Sequence, residues 1–209
     1  MTLNAVARPR RGAPRKSDAT ARERIMSVAA DLFYREGIRA TGVDRIVEVS
    51  GVSKTSLYRS FESKDELITA YAEAHDRKFW DKWVDVAEAH KGQPLQQLDA
   101  FMDSVADSIN RPAYRGCPFI NLAIELPDEN HPARIVAAAT KARLTDELAQ
   151  IAASLSAADP ARVAHQISML INGAFASGSI AKGSVSGRDL KDAVAAIIHA
   201  DRPARHRLS

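Results

Sequence analysis

The stretch that decides the fold runs from Ile38 to Lys64 and reads IRATGVDRIVEVSGVSKTSLYRSFESK. Its first half carries apolar residues at helical spacing, Val43, Ile46 and Val47, which predicts a short helix with one buried face. Gly51 follows, and glycine tolerates the left-handed backbone of a tight turn. Because a second short helical segment comes directly after this glycine, the stretch predicts two helices joined by a sharp turn.

Capping residues mark where each predicted helix begins. Thr41 precedes the first helix and Asp44 stands three residues later, as in a capping box. Ser53 is placed to cap a second helix over residues 54–60, in which Leu57 points inward. The side chains left outside are Lys54, Thr55, Ser56, Tyr58 and Arg59. These donors and one aromatic ring suit the major groove of DNA, and the alternative is an ordinary solvated face.

Residues 41–68, TGVDRIVEVSGVSKTSLYRSFESKDELI, resemble the N-terminal domain of the tetracycline-repressor-type (TetR/AcrR) family of bacterial regulators. The resemblance runs from about Ala19 to Ile68, and its most specific part is GVSK–x–x–LYR–x–F–x–SK–x–x–L. It implies an all-α fold, with an N-terminal three-helix helix-turn-helix domain and a C-terminal helical domain for ligand binding and dimerisation. At matching positions it implies DNA contacts for Thr41, Ser53, Lys54, Thr55, Ser56, Tyr58, Arg59 and Lys64. Thr41 and Lys64 would hold the phosphate backbone.

The charge of the chain is unevenly distributed. Of 209 residues, the first 64 hold 13 Lys and Arg against 7 Asp and Glu, while the remainder holds 16 against 19. This difference assigns polyanion binding to the front of the chain. We predict a disordered basic arm (1–17), a DNA-binding domain (18–64) and an effector-binding and dimerisation domain (65–209). The arm either contacts a minor groove or phosphates, or is a solvated tail.

Several function classes lack their sequence signatures. No apolar run approaches the roughly 20 residues that span a bilayer, and the N-terminus has no hydrophobic segment of a secretory signal. Cys117 is the sole cysteine, which excludes an internal disulfide. The six histidines are scattered, and no phosphate-binding loop or nucleophile elbow is present. We therefore expect a cytoplasmic protein that is not an enzyme and needs no metal or cofactor.

Helical patterns continue through the rest of the chain. The predicted helices cover about 19–36, 64–89, 94–110, 117–126, 132–155, 160–182 and 187–200. Thr20 with Glu23, and Ser63 with Glu66, form predicted capping boxes, and Gly37 is placed to end the first helix. The long helix from Lys64 would connect the DNA-binding unit to the remainder.

A polar stripe in the C-terminal part is one candidate for effector recognition. Cys117, Asn121 and Glu125 fall at i, i+4 and i+8 of an otherwise apolar segment, and unpaired polar groups are costly to bury. The stripe is either a hydrogen-bonded packing network or the lining of a small-molecule pocket. Cys117 is a buried small side chain or a redox-sensitive thiol. Trp80 and Trp83 are plain core or a pocket wall, and the family resemblance implies a small lipophilic or amphipathic effector.

The segment QISMLINGAFASGSIAKG is rich in small residues, which permit close helix approach. The family resemblance implies that this helix and the last one form a four-helix bundle with a second copy of the chain. The alternative is an intramolecular packing face. The residues predicted to fill the bundle are Ile167, Leu170, Ile171, Gly173, Ala174, Phe175, Gly178, Val194, Ile197 and Ile198.

Together these features predict a homodimeric repressor that binds a palindromic operator in double-stranded DNA and is released by a small-molecule effector. Two alternatives are open. One is a regulator that activates transcription or acts without a small-molecule effector. The other is a helical interaction module that does not bind DNA.

Overall fold

The computed structural model describes residues 16–201, with side chains from residue 20 onward, and this part of the chain forms nine α-helices and no strand. In chain order they are α1 (Lys16–Glu36), α2 (Val43–Ser50), α3 (Lys54–Ser60), α4 (Lys64–Ala89), α5 (Pro94–Ile109), α6 (Pro118–Glu125), α7 (Pro132–Ser154), α8 (Pro160–Ile180) and α9 (Gly187–Ala200). The all-α prediction is confirmed. The predicted basic arm lies almost entirely outside the described residues.

Helices α1, α2 and α3 pack around one apolar cluster because each presents a stripe of aliphatic residues. Ile25 and Ala29 of α1, Ile46 of α2 and Leu57 of α3 are fully buried there, and Phe61 closes the cluster after α3. Burying each of the larger side chains stabilises the fold by about 1.5–3 kcal/mol. Leu57 therefore has the core role that its spacing predicts, and Phe61 is part of the same core.

Local capping fixes where α3 and α4 begin. The Ser53 hydroxyl accepts the backbone N–H of Ser56 at 3.2 Å, and the Ser63 hydroxyl accepts that of Glu66 at 3.1 Å. The Glu66 carboxylate reaches back to the N–H of Glu62 at 2.5 Å, one residue before the N-cap. Both serine caps are as predicted, and each satisfies a helix-terminal donor that would otherwise lack a partner.

Two predicted caps are wrong. Helix α1 begins four residues before Thr20, so Thr20 does not open it with Glu23. The N-cap of α2 is Gly42, which has no side chain to offer. Thr41 is fully buried instead, and its hydroxyl donates to the carbonyl of Gly37 at 2.7 Å.

Glycines shape the two turns of the N-terminal unit. Gly37 after α1 has a φ of +98° and Gly51 after α2 has a φ of +63°, both in the left-handed region that disfavours other residues. The N–H of Gly51 donates to the carbonyl of Val47 at 3.0 Å, which completes the last turn of α2. The predicted glycine turn between α2 and α3 is confirmed, and so is the end of α1 at Gly37.

Helix α4 connects two apolar clusters. Its first turns add Leu67, Ile68 and Tyr71 to the cluster of the three-helix unit, and its later turns add Trp80 and Trp83 to a second cluster. The second cluster lies among α5, α7, α8 and α9, where α7 packs on α4 and α8, and α5 packs on α9. No helix between residues 16 and 201 is long and apolar enough to cross a bilayer.

The first cluster extends beyond the three-helix unit. Phe119 and Leu122 of α6, and Ala133 and Ala137 of α7, are buried in the same cluster as α1 and α4. Hydrophobic contact therefore crosses the predicted boundary at residue 64. Because α6 and α7 share this cluster, a shift of either helix would be transmitted to the three-helix unit.

Candidate nucleic-acid interface and internal cavity

The outer face of α3 presents the side chains that the sequence assigns to DNA. Lys54, Thr55, Tyr58 and Arg59 are exposed and Ser56 is half-buried, because the fully buried Leu57 fixes the rotation of the helix. The Tyr58 ring is 46% exposed, unusual for a large aromatic side chain that has an apolar cluster nearby. The arrangement leaves polar donors and one ring surface directed away from the protein.

Lys54 is held by a partner within the helix pair. Its ammonium lies 2.6 Å from the Asp44 carboxylate of α2, and this hydrogen bond raises the pKa of Lys54 above its ordinary value. Both side chains are more than half exposed. Exposed ion pairs contribute little to stability, so breaking this pair costs little free energy.

Two arginines of α1 hold the helix pair from behind. The Arg24 guanidinium donates to the carbonyl of Ser50 at 2.8 Å, at the end of α2. Arg22 donates to the carbonyl of Ser60 at the end of α3 and lies over the Phe61 ring, 4.0 Å from its centroid. Sequence reasoning missed both, although a cation near the C-terminus of a helix is a recognisable pattern once the packing is known.

The two predicted backbone clamps are engaged inside the protein. Thr41 is fully buried, as described above, which removes its side chain from any surface. The Lys64 ammonium donates to the carbonyl of Ile38 at 2.6 Å, and burial lowers the pKa of Lys64. Without DNA, both side chains brace the turn between α1 and α2 (residues 37–42), and their predicted contact with DNA phosphates stays a prediction.

A cavity of about 570 Å³, open to the surface on one side, lies where α1 meets the C-terminal helices. Its apolar lining comes from α4, α5, α6, α7 and α8, with the rings of Phe79, Phe101, Phe119 and Phe175 among the contributors. One wall is α1 itself, through Ala30, Asp31 and Tyr34. This size and lining are typical of small-molecule sites.

Of the five residues predicted to contact an effector, Cys117 lines the cavity and the other four do not. Asn121 donates to the carbonyl of Arg115 at 3.0 Å, which ties α6 to the loop before it. Trp80 donates to the Asp76 carboxylate at 2.9 Å and is covered by the Arg143 guanidinium. Trp83 is buried in the second cluster. Helical spacing alone did not distinguish a packing face from a cavity wall.

Glu125, the fourth of the predicted residues that do not line the cavity, joins α6 to the three-helix unit. Its carboxylate accepts the backbone N–H groups of Ile38 at 2.6 Å and Arg39 at 3.0 Å. Hydrogen bonds to an ionised acceptor are stronger than those between neutral groups. Together with Lys64 on the Ile38 carbonyl, Glu125 fixes the turn between α1 and α2 from the C-terminal domain.

The other end of α6 is tied to α1 beside the cavity. The Tyr34 hydroxyl donates to the carbonyl of Gly116 at 3.1 Å and accepts the N–H of Arg115 at 2.9 Å. Burial raises the pKa of Tyr34, and burial also raises the pKa of Tyr114 to about 12. Burial, with a smaller contribution from Lys78, lowers the pKa of His75 to about 4. Tyr34, Tyr114 and His75 are therefore neutral near pH 7.

Most of the residues predicted to form the dimer interface are buried or half-buried within the single chain. Ile167, Ile171, Ala174, Gly178, Val194 and Ile198 are buried within one chain, and a Cβ atom on Gly178 would overlap the Ile109 side chain of α5. Leu170, Phe175 and Ile197 are half-buried against the second cluster. These nine residues have packing partners in their own chain, and their contact with a second copy of the chain stays a prediction.

A different face of α8 is exposed. Met169, Gly173, Ala176 and Ile180 recur at i, i+4, i+7 and i+11, and Met169 and Ile180 are 54% and 88% exposed. A Cβ atom on Gly173 would meet nothing within 4 Å, so no packing inside the chain explains this glycine. A glycine inside a helix costs about 1 kcal/mol relative to alanine. We call these four residues the α8 outer face.

Two family models match the chain. "Bacterial regulatory proteins, tetR family" matches residues 25–71, and "Tetracyclin repressor-like, C-terminal domain" matches residues 94–183. A crystal structure of a TetR-type transcriptional regulator from Streptomyces avermitilis, sav143, is 31% identical, with 87% of this chain and 97% of that chain covered and a TM-score of 0.73. The chain belongs to the TetR family.

Other relatives of this TetR-family protein agree. SCO4454, a TetR-family transcriptional regulator from Streptomyces coelicolor, is 29% identical, with a TM-score of 0.83 and coverage of 88% of this chain and 97% of that one. The HTH-type transcriptional regulator YxaF of Bacillus subtilis is 29% identical over 57% of this chain. That match spans 63% of YxaF, less than two thirds of its length. These relatives are transcriptional regulators and not enzymes, so the family places this chain among DNA-binding transcriptional regulators.

Proposed function

We propose that this TetR-family regulator acts in the cytoplasm as a homodimeric repressor, which a small molecule in the cavity releases from a palindromic operator. The observation that carries this proposal is the position of α1. Asp31 and Tyr34 on one side of α1 line the cavity, while Arg22 and Arg24 on the same helix hold α3 and α2. A ligand in the cavity therefore touches the helix that positions the DNA-reading surface.

The proposed reading of DNA uses α3 in the major groove. Lys54 would leave Asp44 and donate to a base edge, preferably guanine, and the Thr55 methyl would contact thymine. Tyr58 and Ser56 would reach base edges or adjacent phosphates. Ser53 and Arg59 would contact the phosphate backbone at the two ends of the helix. Thr41 and Lys64 support this surface from inside.

Dimerisation would use the α8 outer face (Met169, Gly173, Ala176 and Ile180). Two copies of this face, related by a two-fold axis, would bury exposed apolar area and give Gly173 a close partner helix. Of the residues predicted from the sequence, Gly173 stays in the proposed interface. A two-fold dimer presents two α3 helices and therefore suits a palindromic site.

Helix α6 is the proposed connection between ligand and DNA. Its start carries Cys117 and Phe119 in the cavity lining, and its end carries Glu125 on the turn between α1 and α2. A ligand that moves the start of α6 would shift the Glu125 carboxylate and, through this turn, the angle between α1 and α2. Release requires that the ligand bind the DNA-free arrangement more tightly than the DNA-bound one.

The proposal is tested by fluorescence anisotropy with duplex from the region flanking the coding sequence and with scrambled duplex of equal length, at low and physiological salt. We expect tight binding to one palindromic segment that survives physiological salt. Equal binding to both duplexes, lost as salt rises, would show only non-specific attraction of basic residues and would contradict the proposal.

A further inference from the structure

We propose that the cavity selects an amphipathic anion, an aromatic or acyl hydrocarbon that carries one carboxylate or similar oxyanion. This inference rests on the proposed function, because it names the class of effector for the same cavity. It follows from the charges placed around an otherwise apolar lining.

Basic side chains outnumber acidic ones among the residues that line the cavity. Lys78 and Lys82 lie one turn apart on α4, Arg111 lies in the loop after α5, and Lys141 lies on α7. Asp31 is the single carboxylate in this lining, and it is already paired with Arg35 at 3.4 Å. The walls therefore hold an excess of positive charge.

Three of these cations have no acidic partner in the described part of the chain. Lys78, Lys82 and Arg111 are exposed and form no ion pair between residues 20 and 201. Lys141 is fixed differently, since its ammonium donates to the Asn172 side chain at 2.7 Å and lies 5.3 Å from the centroid of the Phe175 ring. Its charge is thus held against the apolar interior, while the other three stand at the rim.

The neutral groups in the walls are consistent with this assignment. Burial and the charge of Lys78 lower the pKa of His75, so the imidazole adds no positive charge of its own near pH 7. The first turn of α6 also faces the cavity through Pro118 and Phe119, and the Cys117 N-cap offers no side-chain acceptor to its N–H groups. A helix start favours a negative group, as the basic side chains of the lining do.

The apolar lining of the cavity determines the hydrocarbon part of the ligand. Phe79, Phe101, Phe119, Leu144 and Ile171 line the cavity with hydrocarbon, which an ionic group alone cannot cover. A ligand with an apolar body and a terminal anion would bury the body among these side chains and leave the anion at the basic rim. A cation of the same shape would meet repulsion from four positive side chains and find one carboxylate that is already paired.

Isothermal titration calorimetry of the full chain with three compounds of one shape tests the inference. The probes are 2-naphthylacetate, 2-(2-naphthyl)ethanol and 2-(2-naphthyl)ethylammonium, which differ in charge but share the aromatic body. We expect the anion to bind at least about tenfold more tightly than the alcohol, and the ammonium to bind most weakly. Equal affinity of the anion and the alcohol, tighter binding of the ammonium, or no binding of any probe would overturn the inference.

Lysine variants test which side chains produce the preference for the anion. Lys78→Gln combined with Lys82→Gln should remove most of the preference for the anion and leave the alcohol unchanged, because both side chains are exposed and the apolar lining is intact. Lys91→Gln, an exposed lysine in the turn after α4, is the matched control and should behave as the parent. An unchanged preference in the double variant would contradict a basic rim.

Operator binding, measured on the same preparations, separates this inference from the proposed function. Selective binding of the anion without release of operator DNA would uphold the ligand class and contradict effector-driven release. Intact operator binding with no binding of any probe would contradict the ligand class and leave the DNA-binding role standing.

Discussion

Helices α3 and α8 both expose one face, and the two faces are made of opposite chemistry. The α3 face carries Lys54, Tyr58 and hydroxyl groups, with an ion pair that a polyanion can replace. The α8 outer face carries Met169, Gly173, Ala176 and Ile180, without a charge. An exposed donor-rich face suits a hydrated, charged partner, whereas an exposed face of small and apolar residues suits another helix. Exposure alone therefore does not indicate which partner a helix face binds, whereas the chemistry of the exposed side chains does.

The largest expected effect comes from a charge placed on the α8 outer face. Met169→Glu should give monomers in sedimentation velocity, because an unpaired carboxylate is costly to bury between two apolar helices. Operator affinity should fall by about 100-fold or more, since one α3 reads only half of a two-fold site. Ile135→Glu, which places the same charge on an exposed apolar position of α7, is the control. A persistent dimer would show that the α8 outer face is not the interface.

The α3 face is tested by truncation of its two most distinctive side chains. Tyr58→Ala and Lys54→Ala should each weaken specific operator binding by about 1–3 kcal/mol, measured by anisotropy. Asp44→Ala controls for loss of the ion pair, because it removes the partner and keeps the lysine. Full affinity in both α3 variants would rule out α3 as the reading helix.

The connection between the two regions is tested at Glu125. Glu125→Ala leaves the backbone N–H groups of Ile38 and Arg39 without their acceptor. The free energy of unfolding in urea should fall by about 1–3 kcal/mol, the usual cost of losing hydrogen bonds to a charged group. Glu129→Ala, at an exposed carboxylate in the loop before α7, should change it little. Equal effects of the two variants would mean that Glu125 does not hold the turn.

A further expected effect is a pH dependence of stability from His75. The folded chain takes up a proton on this imidazole only near pH 4, whereas the unfolded chain takes it up near the ordinary pKa of 6.5. The neutral form is therefore the stable folded form, and its contribution is present above pH 6.5 and lost as pH falls toward 4. The unfolding free energy should drop with a slope of up to about 1.4 kcal/mol per pH unit in this range. His75→Gln should flatten that part of the profile, and an unchanged profile would contradict the assignment.

Local sequence signals predicted the helices around α3 and its exposed face well, because each signal depends on neighbours in the chain. Gly51 makes the turn, Ser53 and Ser63 cap the helices that follow, and Leu57 fixes which side of α3 faces outward. The prediction that Thr41 caps α2 is wrong because Thr41 and Gly42 are both residue types that can occupy an N-cap. The hydrogen bond from Thr41 to the carbonyl of Gly37 decides between them. Capping rules rank residue types, but they do not include such tertiary bonds.

The cavity and the exposed face of α8 depended on contacts between distant parts of the chain. Glu125 bonds to a turn more than 80 residues away, and nothing in the spacing of its own helix indicates that partner. Helix α8 has apolar residues on more than one side, so Ile167 and Met169 look equivalent in sequence, and only the packing on α5 and α7 buries one of them. Periodicity identifies an apolar face; it does not identify what covers it.

The position of α1 also constrains how this protein can evolve. Ala30, Asp31 and Tyr34 serve as cavity wall on a helix whose arginines hold α2 and α3. A mutation on this wall that adapts the cavity to a new compound also disturbs the support of the DNA-reading surface, so its benefit comes with an altered response to the operator. Positions on α5 and α7 that line the cavity, such as Phe101 and Leu144, lie on helices that do not also hold α2 and α3. Divergence toward new compounds should therefore accumulate on α5 and α7 while the α1 wall stays nearly fixed.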